Sequence, residues 1–344
     1  MMQNIRSATE NTIIEFLVIH GEKPFRVNQI LYWLWKFRVT SFNQMKNLSQ
    51  NLCNLLSQNF FIDTVRIETQ QISKDMTIKV VFTLYDNLMV EGVLIPSGKR
   101  ITACISSQVG CALGCKFCAT GKFGFSRNLS AGEIYDQVFL LSELAKKQYD
   151  NPLTNIVFMG MGEPLLNYEN VISAINRITS EKGMGWSYKR ITLSTAGIPD
   201  KIKQLANDNI KINLALSLHT VKSDIRHELL PVENKYPLES VSEALKYYTS
   251  KLKQKVTFEY LLLNGINDSA DDAKALINFC SSMASKVNII EYNYVEGLPF
   301  KKSTSAKTDF FLKMLRKKKM NVKIRRSMGG DIDAACGQLA NKNC

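Results

Sequence analysis

The chain has 344 residues, of which 45% are hydrophobic and 22% are charged, and its formal net charge is +13. This composition is typical of a globular protein with room for one large domain or two ordinary ones. The positive charge predicts a polyanionic partner, with nucleic acid first and an anionic membrane second, although a generally basic background would give the same number. No apolar run approaches ~18 residues, so we expect no membrane-spanning segment.

The number and spacing of the cysteines indicate the redox environment of the protein. The eight cysteines stand at positions 53, 104, 111, 115, 118, 280, 336 and 344. Their clustering, and the lack of a secretory signal, predict a reducing cytoplasm rather than a disulfide scaffold. Cys53 and Cys280 lie in apolar helical patterns and are expected in the core, and Cys344 lies in a tail where we expect it to be inert.

Residues 1–70 show apolar residues at helical spacing and predict a small helical domain. Basic residues lie among its aromatics, a pattern that suits RNA binding but is equally explained by solvated basic helix faces. Residues 71–96 alternate in the manner of strands and predict an antiparallel β-hairpin or meander that acts as a linker. Glu91 lies in an apolar strand there. Most such glutamates face solvent at a sheet edge, whereas one aimed into a pocket could act as a base.

From residue 97 the pattern changes to strands alternating with helices, which predicts an α/β fold with a parallel sheet. The predicted strands are Thr102–Ser106, Asn155–Met159, Arg190–Ser194, Ile212–Ser217, Val256–Leu262 and Val287–Tyr292. The predicted helices are Ala131–Lys146, Tyr168–Thr179, Pro199–Asn207, Leu238–Leu252, Ala270–Met283 and Thr304–Lys318. In such a series, functional residues are expected after the carboxyl ends of the strands.

Three cysteines follow the first of these strands at C-x3-C-x2-C spacing: Cys111, Cys115 and Cys118. A structural zinc site requires four ligands, whereas three thiolates on one short loop suit three irons of a [4Fe–4S] cluster and leave the fourth iron open. This spacing is typical of radical S-adenosylmethionine (SAM) enzymes, in which the open iron binds the amino and carboxylate groups of SAM. A zinc site and three buried structural cysteines are the alternatives.

Further candidates follow the later strands. Gly162 and Glu163 suit a backbone that closely approaches a ligand's ammonium group, although glycine and proline in the same stretch also suit a simple turn. Serines after the third and fourth strands could cap helices instead, and a lone histidine is usually a packing residue. Together, at one end of the sheet, these residues predict one pocket. A basic tract at 313–319 and 323–326 suits either a solvated face or RNA phosphates.

Several longer motifs carry a family resemblance. They are residues 104–118, the stretch FMGMGEPLLN at 158–167, the stretch SLH at 217–219 and the stretch DIDAACGQL at 331–339. Over essentially its whole length the chain resembles the RlmN and Cfr family of radical SAM RNA methyltransferases. The resemblance implies a partial (β/α)6 TIM-type barrel at 97–330, preceded by the helical RNA-contacting domain at 1–70 and the hairpin linker at 71–96. A catalytic-cysteine segment at 331–344 would follow.

The resemblance also implies roles for single residues. Cys111, Cys115 and Cys118 would bind one [4Fe–4S] cluster. SAM would contact Gly162, Glu163, Ser194, Ser217, Leu218, His219 and Asn293. The catalytic residues would be Cys336 as methyl carrier, Cys104 as its disulfide partner and Glu91 as proton acceptor.

The implied reaction consumes two SAM molecules and forms 2-methyladenosine through a protein–RNA crosslink. The implied substrates are adenine 2503 of 23S rRNA, in the peptidyl-transferase centre, and adenine 37 of tRNA. We also expect an electron donor such as flavodoxin, a cytoplasmic location, no membrane partner and a monomer. A Cfr-like enzyme that methylates C8 of the rRNA adenine shares the cysteines and remains the alternative. A methylthiotransferase is disfavoured, because no second cysteine triad is present, and a non-catalytic RNA-binding metal protein is a further alternative.

Overall fold

The computed structural model describes residues 2–340. Its first part is a small helical unit. The unit contains helices α1 (Glu10–Ile19), α2 (Arg26–Trp35) and α3 (Gln50–Asn59), with short parallel strands β1 (Gln3–Asn4) and β2 (Phe60–Phe61). The Thr9 hydroxyl accepts from the backbone N–H of Thr12 and so caps α1, and Ser49 caps α3 in the same way.

The central feature is a ten-stranded mixed sheet within these residues. Its antiparallel part is β3 (Arg66–Ile72), β4 (Ile78–Thr83), β5 (Met89–Ser97) and β6 (Arg100–Ile105). A separate hairpin, β7 (Gln108–Gly110) and β8 (Phe125–Asn128), follows. The sheet continues with strands parallel to β6, namely β9 (Asn155–Phe158), β10 (Ile191–Thr195), β11 (Asn213–Ser217), β12 (Val256–Leu262), β13 (Ser285–Glu291) and β14 (Val322–Arg325).

Helices connect the parallel strands. They are α4 (Ala119–Lys122), α5 (Ala131–Tyr149), α6 (Tyr168–Thr179), α7 (Pro199–Asn207), α8 (Ser223–Leu229), α9 (Leu238–Leu252), α10 (Ala270–Cys280) and α11 (Ser305–Lys317). The strands from β9 to β14 pair in the order in which they occur along the chain, and β6 pairs with β9. The connections are therefore βα units that bring the carboxyl ends of the parallel strands to one edge.

The predicted α/β fold with an N-terminal domain is confirmed. Residues 71–96, predicted as a hairpin linker, lie in strands that continue the main sheet, and β5 lies between β4 and β6. Glu91 is therefore in an interior strand and is only 4% exposed. Helix α8, the hairpin of β7 and β8, and strand β14 were not predicted.

A buried charge cluster joins the helical unit to the sheet-bearing part. The Arg6 guanidinium contacts the carboxylates of Asp63, at 3.6 Å, and of Asp136 on α5, at 2.8 Å. Arg38 also lies 3.0 Å from Asp136. Buried charges are tolerated where they are paired in this way, so the helical unit is fixed to α5. Among residues 2–340 no helix has the length and apolar character that crossing a bilayer requires.

Candidate active site

A cavity of about 170 Å³ lies at the carboxyl ends of the parallel strands. Nine of the site residues expected from the sequence line it: Cys111, Cys115, Cys118, Gly162, Glu163, Ser194, Ser217, His219 and Cys336. Glu91, Cys104, Leu218 and Asn293 do not line it. The fold therefore brings most of the predicted residues to one place, and the other four have distinct positions that are described below.

The cysteine loop leaves β7 and is held by backbone hydrogen bonds. The N–H of Cys111 donates to the Gly124 carbonyl at 2.7 Å, and the N–H of Lys116 donates to the Leu229 carbonyl at 3.0 Å. Burial raises the pKa of the Cys111 thiol to about 12 and also raises the pKa of Cys115. Metal binding must therefore displace protons from these thiols.

The donor set fits a cluster better than a single ion. Three half-buried cysteines of one short loop line one cavity. A structural zinc site needs a fourth protein ligand, whereas three thiolates suit a [4Fe–4S] cluster with one iron left open. Cys111, Cys115 and Cys118 are thus suited to a [4Fe–4S] cluster.

The glycine-rich turn after β9 packs against β7. Gly162 has φ +94°, and a Cβ there would lie only 2.4 Å from the Cβ of Gln108, so a larger residue does not fit. The next residue, Glu163, is 3% exposed, and its carboxylate accepts hydrogen bonds from the backbone N–H groups of Leu165 and Ala196. Burial raises the pKa of Glu163 to about 7. A buried carboxylate in this position can bind a ligand's ammonium group.

Polar groups of the next two strands face each other. The hydroxyls of Ser194 on β10 and Ser217 on β11 lie 3.4 Å apart at the cavity wall. His219 has φ +56°, and its Nδ1 accepts the N–H of Leu261 at 3.0 Å. Burial and the nearby Arg226 lower the pKa of His219 to about 3, so the ring is neutral and carries its proton on Nε2. Leu218 is fully buried, its backbone N–H donates to the Glu259 carbonyl at 3.0 Å, and its carbonyl accepts from Arg226.

The segment 329–340 carries Cys336 to the cavity. The side-chain amide of Asn293 donates to the Cys336 carbonyl at 3.2 Å, so Asn293 contacts this segment rather than the cavity. The N–H of Ala119 donates to the Gly337 carbonyl at 2.7 Å, and the Thr120 hydroxyl donates to the Leu339 carbonyl at 2.6 Å. The last two bonds tie the methyl-carrier candidate to α4, directly after the cysteine loop.

Cys104 lies on β6, is 5% exposed and is a free thiol, as is Cys336. Burial, with the negative charge of a Cys336 thiolate nearby, raises the pKa of Cys104 to about 12. One of the two thiols thus lines the cavity, and the other is buried on β6, close enough for their charges to interact.

The carboxylate of Glu91 is also buried and does not line the cavity. Its Oε2 accepts the N–H of Ala340 at 2.9 Å, and its Oε1 lies 3.7 Å from the Nζ of Lys79. The end of the Cys336 segment therefore covers the candidate base. The solvent-facing alternative for Glu91 does not hold, because the residue is 4% exposed and its strand is not at a sheet edge.

Sequence reasoning missed charged residues of the site. Glu259 on β12 is 4% exposed and lines the cavity, and its Oε2 has no hydrogen-bond donor. Arg325, at the end of β14, lies 3.8 Å from that oxygen and also lines the cavity. Arg325 belongs to the basic tract, where clustering with lysines suggested RNA contact. The alternation of apolar and basic residues over 322–325 is the signal that would have indicated a strand ending at Arg325.

The sheet and the cysteine-lined cavity define a radical SAM protein. A family model described as "Radical SAM superfamily" matches residues 105–280, and one described as "Ribosomal RNA large subunit methyltransferase N-terminal domain" matches residues 3–62. The chain belongs to the RlmN family of radical SAM methyltransferases, as its relatives below establish. Membership implies a [4Fe–4S] cluster and SAM as cofactors.

Two relatives and one solved structure illustrate the similarity. A "probable dual-specificity RNA methyltransferase RlmN" of Christiangramia forsetii is 47% identical, covering 99% of this chain and 97% of that protein. The protein of the same description from Cytophaga hutchinsonii is 50% identical, covering 98% and 93%. The crystal structure of a radical SAM methyltransferase from Sphaerobacter thermophilus superposes with a TM-score of 0.90 at 35% identity, covering 98% of this chain and 99% of that one.

Proposed function

We propose that this enzyme methylates C2 of an adenine in 23S rRNA and in tRNA, at adenine 2503 and adenine 37 respectively. The observation that carries the proposal is that Cys336 lines the same cavity as the cluster cysteines, with a second free thiol, Cys104, buried near it. A methyltransferase that transfers the methyl group directly from SAM needs no such pair.

In the proposal, Cys111, Cys115 and Cys118 bind the cluster. Gly162 and Glu163 would hold SAM, with further contacts from Ser194, Ser217, Leu218, His219 and Asn293. When bound, the cluster and SAM supply a carbon radical that removes a hydrogen atom from a methyl group. The neutral His219 would offer SAM a hydrogen-bond donor without adding a positive charge to the cavity.

The chemistry of adenine C2 explains why the methyl group must first be carried by Cys336. C2 of adenine lies between two ring nitrogens and is electron-poor, so it cannot attack the methyl group of SAM as a nucleophile, but it accepts a carbon radical. The Cys336 thiolate is a good nucleophile. It forms an S–CH3 bond with the methyl group of a first SAM as the sulfonium–methyl bond breaks. A second SAM is then consumed in activating that methyl group, which makes two per turnover.

Cys104 and Glu91 complete the reaction. After the activated methylene of Cys336 has bonded to C2, the adduct passes its unpaired electron to a one-electron acceptor of the iron–sulfur class, and Glu91 accepts the C2 proton. The Cys104 thiolate then attacks the sulfur of Cys336, a disulfide forms, and the S–CH2 bond breaks with its electron pair on carbon. That carbon takes a proton and becomes the product methyl group. A reductant restores the two thiols before the next turnover.

The proposal includes the partners. An adenine stacked in a helix cannot enter the cavity, so we expect an unpaired or flipped nucleotide. The net charge of +13 supplies affinity for phosphates, and the helical unit is proposed to contact the RNA. We further propose that the enzyme acts as a monomer in the cytoplasm and receives electrons from a donor such as flavodoxin.

Nucleoside analysis tests the proposal. The purified enzyme is reconstituted anaerobically with iron and sulfide and incubated with SAM, dithionite and unmodified rRNA or tRNA, and the digested RNA is examined by mass spectrometry. We expect 2-methyladenosine in both RNAs. 8-Methyladenosine in rRNA would instead assign the Cfr-like activity, and reductive SAM cleavage without RNA methylation would contradict an RNA substrate.

A further inference from the structure

We propose that Lys79 is a positioning residue for Glu91: it compensates the charge of the carboxylate and holds it in place until Glu91 accepts the C2 proton. This inference rests on the proposed function and deepens it. It concerns a residue outside the cavity, in a strand that the sequence predicted only as part of a linker.

The sheet register places the two side chains together. In the antiparallel pairing of β4 with β5, Val81 lies opposite Glu91 and Lys79 lies opposite Val93. Residues that are opposite each other, or two apart, share one face of the sheet, so Lys79 and Glu91 are diagonal neighbours. The Lys79 Nζ lies 3.7 Å from Glu91 Oε1, and the two side chains are 12% and 5% exposed.

The two partners of the Glu91 carboxylate differ in kind. One is the N–H of Ala340, in the segment that carries Cys336. That segment must change position in the proposed reaction, because one sulfur has to meet SAM, the RNA base and Cys104 in turn. The other partner, Lys79, belongs to an interior strand of the sheet. When the segment that carries Cys336 moves away and exposes Glu91 to the adenine, Lys79 stays beside the carboxylate.

The backbone of Glu91 is fixed independently of the tail. Its carbonyl accepts from the Ser106 hydroxyl at 2.6 Å, and its N–H lies 3.4 Å from the sulfur of Met161. When the hydrogen bond from Ala340 is lost, only the orientation of the carboxylate is therefore left to be held by another group. A carboxylate this deeply buried is costly without an opposite charge, and among the ion pairs of residues 2–340 Lys79 is the cation that lies next to Glu91.

The proposed step is a simple proton transfer. After the adduct has given up its unpaired electron, its C2–H bond breaks, the electron pair stays in the ring, and the proton goes to the Glu91 carboxylate. Lys79 does not touch the substrate. Without its charge, the carboxylate loses its fixed orientation and its compensation, and this transfer is slowed after the crosslink has formed.

The test compares Lys79→Met with Lys79→Arg, and uses Lys99→Met as the matched control. Lys99 is an exposed lysine in the turn between β5 and β6. Each variant is run anaerobically through a single turnover with a short unmodified RNA. Methylated Cys336 is measured by peptide mass spectrometry, crosslinked protein on denaturing gels, and free product by nucleoside analysis.

We expect Lys79→Met to methylate Cys336 normally but to keep the crosslink about tenfold longer, a smaller effect than the loss of a general base itself. Lys79→Arg should restore most of the release rate, and Lys99→Met should match the wild type. Lys79→Gln serves as a second neutral variant if Lys79→Met does not fold.

Release of product at the wild-type rate by the neutral variants would overturn the role of Lys79. So would weaker RNA binding without crosslink persistence, which would make Lys79 a phosphate contact. If the wild-type enzyme itself formed neither methylated Cys336 nor a crosslink, the proposed function would fail, and this result is distinguishable because it does not depend on residue 79.

Discussion

Two thiols of the same chemical kind have different surroundings in this protein. Cys336 is half-buried and lines the cavity, whereas Cys104 is 5% exposed and lies on an interior strand. A thiol that meets a cofactor needs access to it, whereas a thiol that resolves an intermediate needs access only to the other sulfur. The two environments suit these two tasks.

Replacement of each cysteine separates the tasks. Cys104→Ala should still form the protein–RNA crosslink but leave it unresolved, so that most of the protein that reacts remains bound to RNA on a denaturing gel. Cys336→Ala should form no crosslink and no product. Free methylated RNA at the normal rate from Cys104→Ala would remove that residue from the mechanism, and any product from Cys336→Ala would refute the methyl carrier.

The acidity of Cys104 gives a pH prediction. Burial raises its pKa to about 12, with a further contribution from the nearby Cys336. At neutral pH it is therefore a thiol, and its thiolate fraction rises about tenfold per pH unit below the pKa. Decay of the crosslink in a quenched single turnover should accelerate accordingly between pH 7 and 9. A flat profile would mean that Cys104 is not the attacking group.

At the scale of elements, the helices and parallel strands were largely predictable. Residues 168–179, 199–207 and 238–252 form helices over the predicted ranges, and residues 256–262 form the predicted strand. Strong periodicity and terminal signals account for this, such as Pro199 at the start of α7. Strand β14 was missed because it is short and follows a run of lysines. Its own basic residues, Lys323 and Arg325, made it resemble a continuation of that solvated tract rather than a sheet edge.

Tertiary pairings were beyond the sequence. Within the site, residue types and their order along the chain could be read from the motifs, and the family resemblance supplied roles. Neither indicated that Ala340 donates to Glu91, or that Glu259 and Arg325 face each other in the cavity wall. Such contacts join residues far apart in the chain, and local propensity carries no information about them.

Arg226 on α8 shows how one buried residue holds several elements. Its side chain is fully buried, its Nε pairs with Glu233 at 2.7 Å, and its other nitrogens donate to the carbonyls of Leu218 and Ala196. Arg226→Met should lower the free energy of unfolding by about 3–5 kcal/mol, because Glu233 and these carbonyls lose their donor. Urea denaturation measures this, with Arg316→Met, at an exposed position on α11, as the control. An equal change in the free energy of unfolding in both variants would contradict the role of Arg226 in holding these elements together.

At the scale of the whole molecule, charge and architecture act together. The net charge of +13 is spread over a chain whose helical unit is fixed to α5 by Arg6, Arg38 and Asp136. A fixed unit can guide RNA towards the cavity as a single surface. Since phosphate contacts release counterions, affinity depends on salt.

RNA binding should therefore weaken steeply as salt is raised. With about four phosphate contacts to a single strand, a fourfold increase in salt lowers affinity about 50-fold. Fluorescence anisotropy with a labelled RNA stem-loop measures this, and a neutral oligomer of the same sequence serves as the control. A salt-independent affinity would show that the positive charge does not bind the substrate.

The most direct test of the account uses SAM with a fully deuterated methyl group. The proposed route removes one hydrogen of the methyl group carried by Cys336 and later returns a proton from solvent. Mass spectrometry of the 2-methyladenosine formed should therefore find two deuteriums in the new methyl group. Retention of all three would mean that the methyl group passes intact from SAM to RNA, and would contradict the role of Cys336 as its carrier.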